Sequence, residues 1–212
     1  TGTNGKTTVT YILDSIHKVR NEESGIIGTI HYSYGNTDLS ASMTTPESLD
    51  INRMLYEMTE KKIRQCFLEV SSHSLALKRV HGMHFAVGIF TNLSRDHLDF
   101  HGSEERYLAA KLRLFEERPE FSEGRAVINV DDPSATVLLD CLRVPALTYG
   151  YDVNADIRMC SAVPSERGMA IGLDTPDGDI VLDVRLAGYF NCYNVMAAFT
   201  CGLVLGLDAD SI

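Results

Sequence analysis

The sequence predicts an α/β fold: a P-loop-containing, mostly parallel sheet flanked by helices, with a small antiparallel portion near the C-terminal end. Three observations carry this expectation. The chain opens on Thr1-Gly2-Thr3-Asn4-Gly5-Lys6-Thr7-Thr8, a glycine-rich loop of the P-loop type, directly before residues of helical periodicity. Three short apolar runs follow, Cys66 to Val70, Ala86 to Phe90 and Ala126 to Val130, the last two separated by the helical segment Ser103 to Glu117. Such alternation argues for crossover units and a parallel sheet covered by helices. Finally, Ile157 to Val163, Ala170 to Leu173 and Ile180 to Leu186 alternate in the manner of antiparallel strands.

In chain order, Val9, Ile12, Leu13, Ile16 and Val19 recur near helical spacing, so Lys6 to Arg20 is expected to be a helix with its N-terminus at the glycine loop. Gly25 to Ile30 reads as a strand, and the polar, tyrosine-containing residues to Ser42 as a loop or a hairpin over the sheet edge. Thr45-Pro46-Glu47 has the form of a helix start, Thr45 as N-cap and Pro46 at the first helical position. Ile51, Met54, Leu55 and Met58 make the buried stripe. Thr175-Pro176-Asp177-Gly178 is a turn, and Gly188 leads into a helix from about Asn191 to Leu205. No repeat or long linker divides the chain, and one domain is expected.

The chain has 212 residues, 44% hydrophobic and 23% charged, enough for a real core. A formal net charge of -10 opposes long-range attraction to nucleic acid or anionic lipid, so neither is expected as a partner and a small molecule is. Five cysteines without a C-x-x-C pair suggest neither a disulfide framework nor a zinc ribbon and fit a reducing cytoplasm. The most apolar stretch, Val195 to Leu207, is too short and mixed to span a bilayer. A signal peptide is not expected. A phosphate loop normally follows a buried strand, so the chain is expected to be a fragment, with at least that strand and a preceding domain upstream.

Polar residues follow several apolar runs, as they do where ligands collect at the carboxyl ends of parallel strands: Glu69 and Ser71, then Asn92 with Asp96-His97, then Asn129-Asp131-Asp132. Backbone N–H groups from Gly2, Thr3, Asn4, Gly5 and Lys6 would cradle phosphate oxygens, with Lys6 countering charge and Thr7 offering its hydroxyl to magnesium. Glu69 is either a buried carboxylate compensated by magnesium or an edge-strand residue in solvent. His97 has three readings: metal ligand, phosphate donor or turn cap. The pairs His97/His101 and His81/His84 do not make a zinc site, because Gly102 and the polar flanks read as loop and no H-E-x-x-H is present. Ser71-Ser72-His73 lacks the G-x-S-x-G elbow of a serine hydrolase. Lys111 reads from its surroundings as a solvated helix lysine paired with Glu104, Glu105 or Glu116, although Tyr107, Ala110, Leu114 and Phe115 suit a desolvated amine of lowered pKa.

Thr1 to Thr8, Thr44-Thr45-Pro46, Glu69-Val70-Ser71-Ser72-His73, Thr91-Asn92-Leu93-Ser94-Arg95-Asp96-His97-Leu98-Asp99, Tyr107 to Phe115 and Gly188 to Asn194 together resemble the Mur ligases nearly end to end. The likeness is greatest to the branch adding the third amino acid to the UDP-N-acetylmuramoyl dipeptide of cell-wall precursors. The resemblance implies the central ATP-binding domain of a cytoplasmic, monomeric ligase whose N-terminal UDP-binding and C-terminal amino-acid-binding domains are missing here. It implies ATP and Mg2+ as cofactors, with Thr7, Glu69 and His97 at the metal and phosphates and the loop through Thr8 at the nucleotide. Asn191 and Asn194 would contact adenine; Thr44, Thr45, Ser71 and Arg79 would contact the muramoyl dipeptide. Lys111 would be carbamylated by carbon dioxide and act as a further metal ligand. Leu77 stands where some relatives carry glutamine, which puts one substrate hydrogen bond in doubt.

Overall fold

Residues 1–116 and 124–212 are described in the computed structural model of the chain. Helix α1 (Lys6–Val19) buries Val9, Leu13 and Ile16 along one face. Strand β1 (Ser24–Ile27) turns back into a hairpin of β2 (His31–Tyr34) and β3 (Thr37–Ser40), the hairpin being one of the two forms expected for this stretch. Helix α2 (Ser48–Glu60) buries Ile51, Met54 and Met58 and leads to β4 (Gln65–Leu68), parallel to β1. A one-turn helix α3 (Ser72–Ala76) precedes β5 (Val87–Phe90). Then come α4 (Leu98–His101), α5 (Glu104–Glu116), β6 (Arg125–Asn129), α6 (Ala135–Cys141) and β7 (Ala146–Gly150). A meander of β8 (Ile157–Pro164), β9 (Met169–Thr175) and β10 (Gly178–Val184) precedes α7 (Tyr189–Val204) and a closing 3-10 turn.

The strands form two sheets, ordered β3-β2-β1-β4 and β10-β9-β8-β7-β6-β5. In each sheet the parallel pairs, β1 with β4 and β5 through β8, lie at one end and the antiparallel strands at the other. Alternation along β6 shows why helices cover both faces: Ala126 and Ile128 belong to a core with α2, α5 and α6, and Val127 to a second core with α1 and α7. Helix α7 is apolar nearly all round, as suits a helix buried between α1 and the sheet.

Strands β4 and β5 end their respective sheets and border a shared cavity of about 320 Å3 lined by Cys66, Phe67, Leu68, Val87, Gly88 and Ile89. Thr1 lies at its end, its amino group donating to Ile89 O (2.7 Å) while Thr91 N donates to Thr1 O (3.1 Å). Thr1 thus already follows β5 in parallel before the chain turns into the glycine loop.

Two expectations are corrected. Helix α2 begins at Ser48, not at Pro46, and has no side-chain cap. The Thr45 hydroxyl has better-placed tertiary partners, donating toward Glu69 O (2.8 Å) and accepting from Ser71 N (3.0 Å). Leu98 to His101, read as loop, is the short helix α4. Strand β7 and helices α3 and α6 were not foreseen. Glu117, the expected end of α5, lies outside the described residues. Among the described residues, no helix is long and apolar enough to cross a membrane.

Candidate active site around the glycine loop

Gly5 caps α1 with φ of 88°, a left-handed conformation that costs other residues strain, and a Cβ there would collide with Asn194 Oδ1. The end of β5 grips the loop from the other side. Thr3 N donates to Asn92 O (2.9 Å), Asn4 N to Asn92 Oδ1 (2.9 Å) and Thr91 Oγ1 to Asn4 O (2.6 Å). Asn129 Nδ2, at the end of β6, donates to Thr91 O (2.8 Å) and braces that grip. The loop therefore presents the N-terminus of a long helix in a fixed orientation, a geometry that favours anions. Lys6 Nζ curls back to Gly2 O (2.8 Å) and Thr3 O (2.9 Å). Burial holds its pKa below the usual lysine value, with Glu69 and Asp96 opposing the shift. Thr8 borders the groove between α1, β10 and α7.

Glu69 sits one residue beyond β4, its N–H donating to Ile27 O (2.9 Å), and is 1% exposed. The solvent-facing reading is thereby excluded. Its Oε2 accepts from Thr7 Oγ1 (2.8 Å) and Thr29 Oγ1 (3.0 Å), and its Oε1 from Thr29 N (2.9 Å). A buried carboxylate requires such donors or a cation.

Lys111 on α5 is also 1% exposed, which overturns the solvated reading. Its Nζ lies 4.4 Å from the centre of the Tyr107 ring, and among the described side chains no carboxylate is within ion-pair distance of it. Glu104 instead lies 3.9 Å from Arg95, and the Glu116 side chain is outside the described residues. Burial first, and the positive charge of Lys6 second, bring the Lys111 pKa down to about 7. Tyr107 ties this helix to the glycine loop through a hydroxyl contact with Thr3 Oγ1 (3.0 Å).

His97 caps α4 in a left-handed conformation, φ 51°, without a side-chain cap bond; its imidazole is half-exposed and packs edge-on to His73, ring centres 4.7 Å apart. Burial lowers the pKa of both His73 and His101, and His101 Nε2 lies 3.0 Å from Ser72 Oγ. Among the described residues no three His, Cys, Asp or Glu side chains gather as a metal group. Of the four expected ligands only Glu69 and His97 are of those types. Ser71 caps α3 through Ser74 N (3.1 Å), a structural role for the Ser-Ser-His run.

Thr44, Thr45, Ser71 and Arg79 do converge. Thr45 Oγ1 bonds Ser71, Arg79 Nη1 donates to Thr45 O (3.1 Å), Arg79 Nη2 pairs with Glu47 (2.9 Å), and Thr44 Oγ1 is 3.1 Å from Thr29 Oγ1. Leu77 is exposed beyond α3. On the far side of the loop, Asn194 Nδ2 donates to Asn191 Oδ1 (3.0 Å), and Asn191 Nδ2 to Ala187 O (2.8 Å). Asn194 borders a cavity of about 290 Å3 with Asn4, Gly5, Asp131, Phe190 and Tyr193. Sequence reasoning gave no role to Thr29, Thr91, Phe190 or Tyr193, although Thr91 heads the Thr91–Asp99 motif and the aromatic pair lies beside Asn191 and Asn194; Thr29 carried no signal.

A doubly covered α/β sheet, a gripped glycine loop at a helix N-terminus and a buried carboxylate against that helix define a class of ligand-binding α/β domains. Within it, residues 1–202 match the family described as the Mur ligase middle domain. The chain belongs to the Mur ligase family. It is 40% identical over its whole length to the UDP-N-acetylmuramoyl-L-alanyl-D-glutamate--2,6-diaminopimelate ligase of Geobacter metallireducens, spanning 42% of that protein. The protein of the same name from Solibacter usitatus is 42% identical, again over the whole chain and 43% of the relative. A solved structure of a ligase of this name superposes with TM-score 0.89 at 29% identity, covering 99% of this chain and 43% of that one. The chain thus spans less than half the length of the relatives it matches.

Proposed function

We propose that this chain is the central domain of an ATP-dependent amide ligase of peptidoglycan precursor synthesis, acting in the cytoplasm between a UDP-binding N-terminal and an amino-acid-binding C-terminal domain. The substrate is UDP-N-acetylmuramoyl-L-alanyl-D-glutamate, and the relatives' names favour diaminopimelate as the amine. The observation that carries the reading is the Lys6-Thr7-Glu69 arrangement at the N-terminus of α1, in a chain of this family. The open cavity between β4 and β5, with Thr1 already aligned on β5, supports an upstream strand that joins the two sheets.

A carboxylate is a poor electrophile. Its oxygen attacks the γ-phosphorus of ATP, ADP leaves, and the acyl phosphate is then attacked at carbon by the amine, which loses a proton as phosphate departs. Lys6 and the loop N–H groups bind the phosphates, the cavity bordered by Asn194 takes the adenine with Asn191 beside it, and Thr44, Thr45, Ser71 and Arg79 hold the dipeptide. Enclosing domains exclude water from the intermediate.

The hydroxyl of Thr7 and the buried carboxylate of Glu69 are oxygen donors of the kind magnesium takes, and they meet at 2.8 Å, with His97 assigned beside them by the family resemblance alone. Bound there, Mg2+ would supply charge neutralisation of the polyphosphate. Lys111, with a pKa near 7 and no described carboxylate partner, is suited to react as the neutral amine with carbon dioxide, losing a proton and gaining an anionic carbamate oxygen donor.

The test is phosphate release by the full-length polypeptide. Release that requires both the UDP-muramoyl dipeptide and diaminopimelate is expected; hydrolysis independent of both would replace the ligase reading with that of a nucleotide-dependent switch.

A further inference from the structure

We infer that Thr29 is a positioning residue that holds the Glu69 carboxylate in a single orientation for its cation, an inference that rests on the function proposed above. Thr29 lies two residues beyond β1 and carries no motif. It nevertheless engages both oxygens of one carboxylate, N–H to Oε1 (2.9 Å) and hydroxyl to Oε2 (3.0 Å). Two donors from one residue to two oxygens fix the tilt as well as the position of the carboxylate plane. Gly28 completes the clamp, because a Cβ there would collide with Glu69 Oε1.

The hydroxyl proton has one destination. Thr29 Oγ1 is also 3.1 Å from Thr44 Oγ1, and a hydroxyl donates once while accepting twice. The Thr29 hydroxyl has donor geometry toward both Thr44 Oγ1 and Glu69 Oε2, and the charged oxygen is the stronger acceptor, so the proton goes to Glu69. The Thr29 hydroxyl thus sits between Thr44, in the loop before α2, and the buried carboxylate. With Thr7 and Thr29 hydroxyls on Oε2 and a single N–H on Oε1, acceptor capacity remains on Oε1. The orientation imposed by Thr29 therefore decides which oxygen is available to a cation. Thr29 is itself exposed, so its side chain contributes little to the core.

The test compares Thr29→Val, which keeps shape and the N–H but removes the hydroxyl, with Thr29→Ser, which restores it, in the full-length polypeptide. Calorimetry of a non-hydrolysable ATP analogue against Mg2+ concentration gives the apparent Mg2+ affinity, and thermal unfolding reports on the fold. Thr29→Val is expected to weaken apparent Mg2+ affinity roughly tenfold, as loss of an orienting partner does at metal sites, with melting temperature and metal-free nucleotide affinity unchanged. Thr29→Ser is expected to return to wild-type Mg2+ dependence. Unchanged Mg2+ dependence in Thr29→Val overturns the inference while leaving the ligase reading intact, and so does weakening shared equally by both variants along with a lower melting temperature. A wild-type protein whose nucleotide binding ignores Mg2+ overturns the ligase reading, and the inference with it.

Discussion

Replacing Lys111 by methionine is expected to stabilise the domain at mildly acidic pH and to remove a pH dependence that the wild type carries. The Lys111 pKa falls from the free value of 10.5 to about 7, chiefly because burial disfavours the ammonium, with the cation–π contact to Tyr107 compensating in part. The folded-state value is the lower one, so between pH 7 and 10.5 the unfolded chain binds more protons and wild-type stability rises with pH. At about 1.4 kcal/mol per pKa unit, the buried ammonium costs on the order of 5 kcal/mol below pH 7, and the cost fades toward pH 10.5. Methionine fills similar volume without charge, and such replacements of buried ions are commonly neutral or stabilising. Urea unfolding of wild type and Lys111→Met from pH 6 to pH 10, in buffers freed of carbon dioxide, measures this directly. The stability advantage of Lys111→Met should shrink by about 1.4 kcal/mol per pH unit above pH 7. An advantage independent of pH would mean that Lys111 is solvated in solution, and the argument for its reactivity would collapse with it.

Lys111→Ala in the full-length polypeptide should be nearly inactive in ligation and partly rescued by short-chain carboxylates, whereas Lys111→Arg, which keeps its charge, should be inactive with or without them; wild-type turnover in Lys111→Arg would refute the carbamate. Glu69→Ala should fold, because Thr7 and Thr29 can turn to water, yet lose more than about tenfold in apparent Mg2+ affinity by calorimetric titration. Gly5→Ala forces a Cβ into Asn194 Oδ1 at φ of 88° and should lower stability by about 1–2 kcal/mol in urea unfolding and weaken nucleotide binding, and a neutral outcome would show that the loop conformation is not imposed.

Local signals were legible because they rest on neighbours in sequence. The glycine loop, α1, the three apolar runs and the Thr175–Gly178 turn follow from spacing alone, and β10 does pair with β9 from Gly178 onto Thr175. The misreading at Thr45 has the opposite cause. Thr-Pro-Glu carries every local mark of a helix start, but the hydroxyl found partners on Glu69 and Ser71, more than twenty residues away in sequence, and the helix began later without a cap. Strand β7 was invisible because Ala146-Leu147-Thr148-Tyr149-Gly150 is neither an unbroken apolar run nor a strict alternation, although parallel pairing with β6 makes it a strand.

The site divides along the same line. Residue types and spacing nominated Lys6, Thr7 and Glu69, but they left Glu69 between core and solvent because spacing alone does not say whether its strand lies at an edge. What settles its place is a set of hydroxyls from Thr7 and Thr29 that converge only in three dimensions. For Lys111 the surrounding Tyr107, Ala110, Leu114 and Phe115 hinted at burial, yet a solvated lysine beside Glu104, Glu105 and Glu116 was the reading the residues alone favoured. The choice between those accounts depends on how α5 is rotated against the sheet, and rotation is set by packing partners such as Tyr107 on Thr3 that no window of sequence contains.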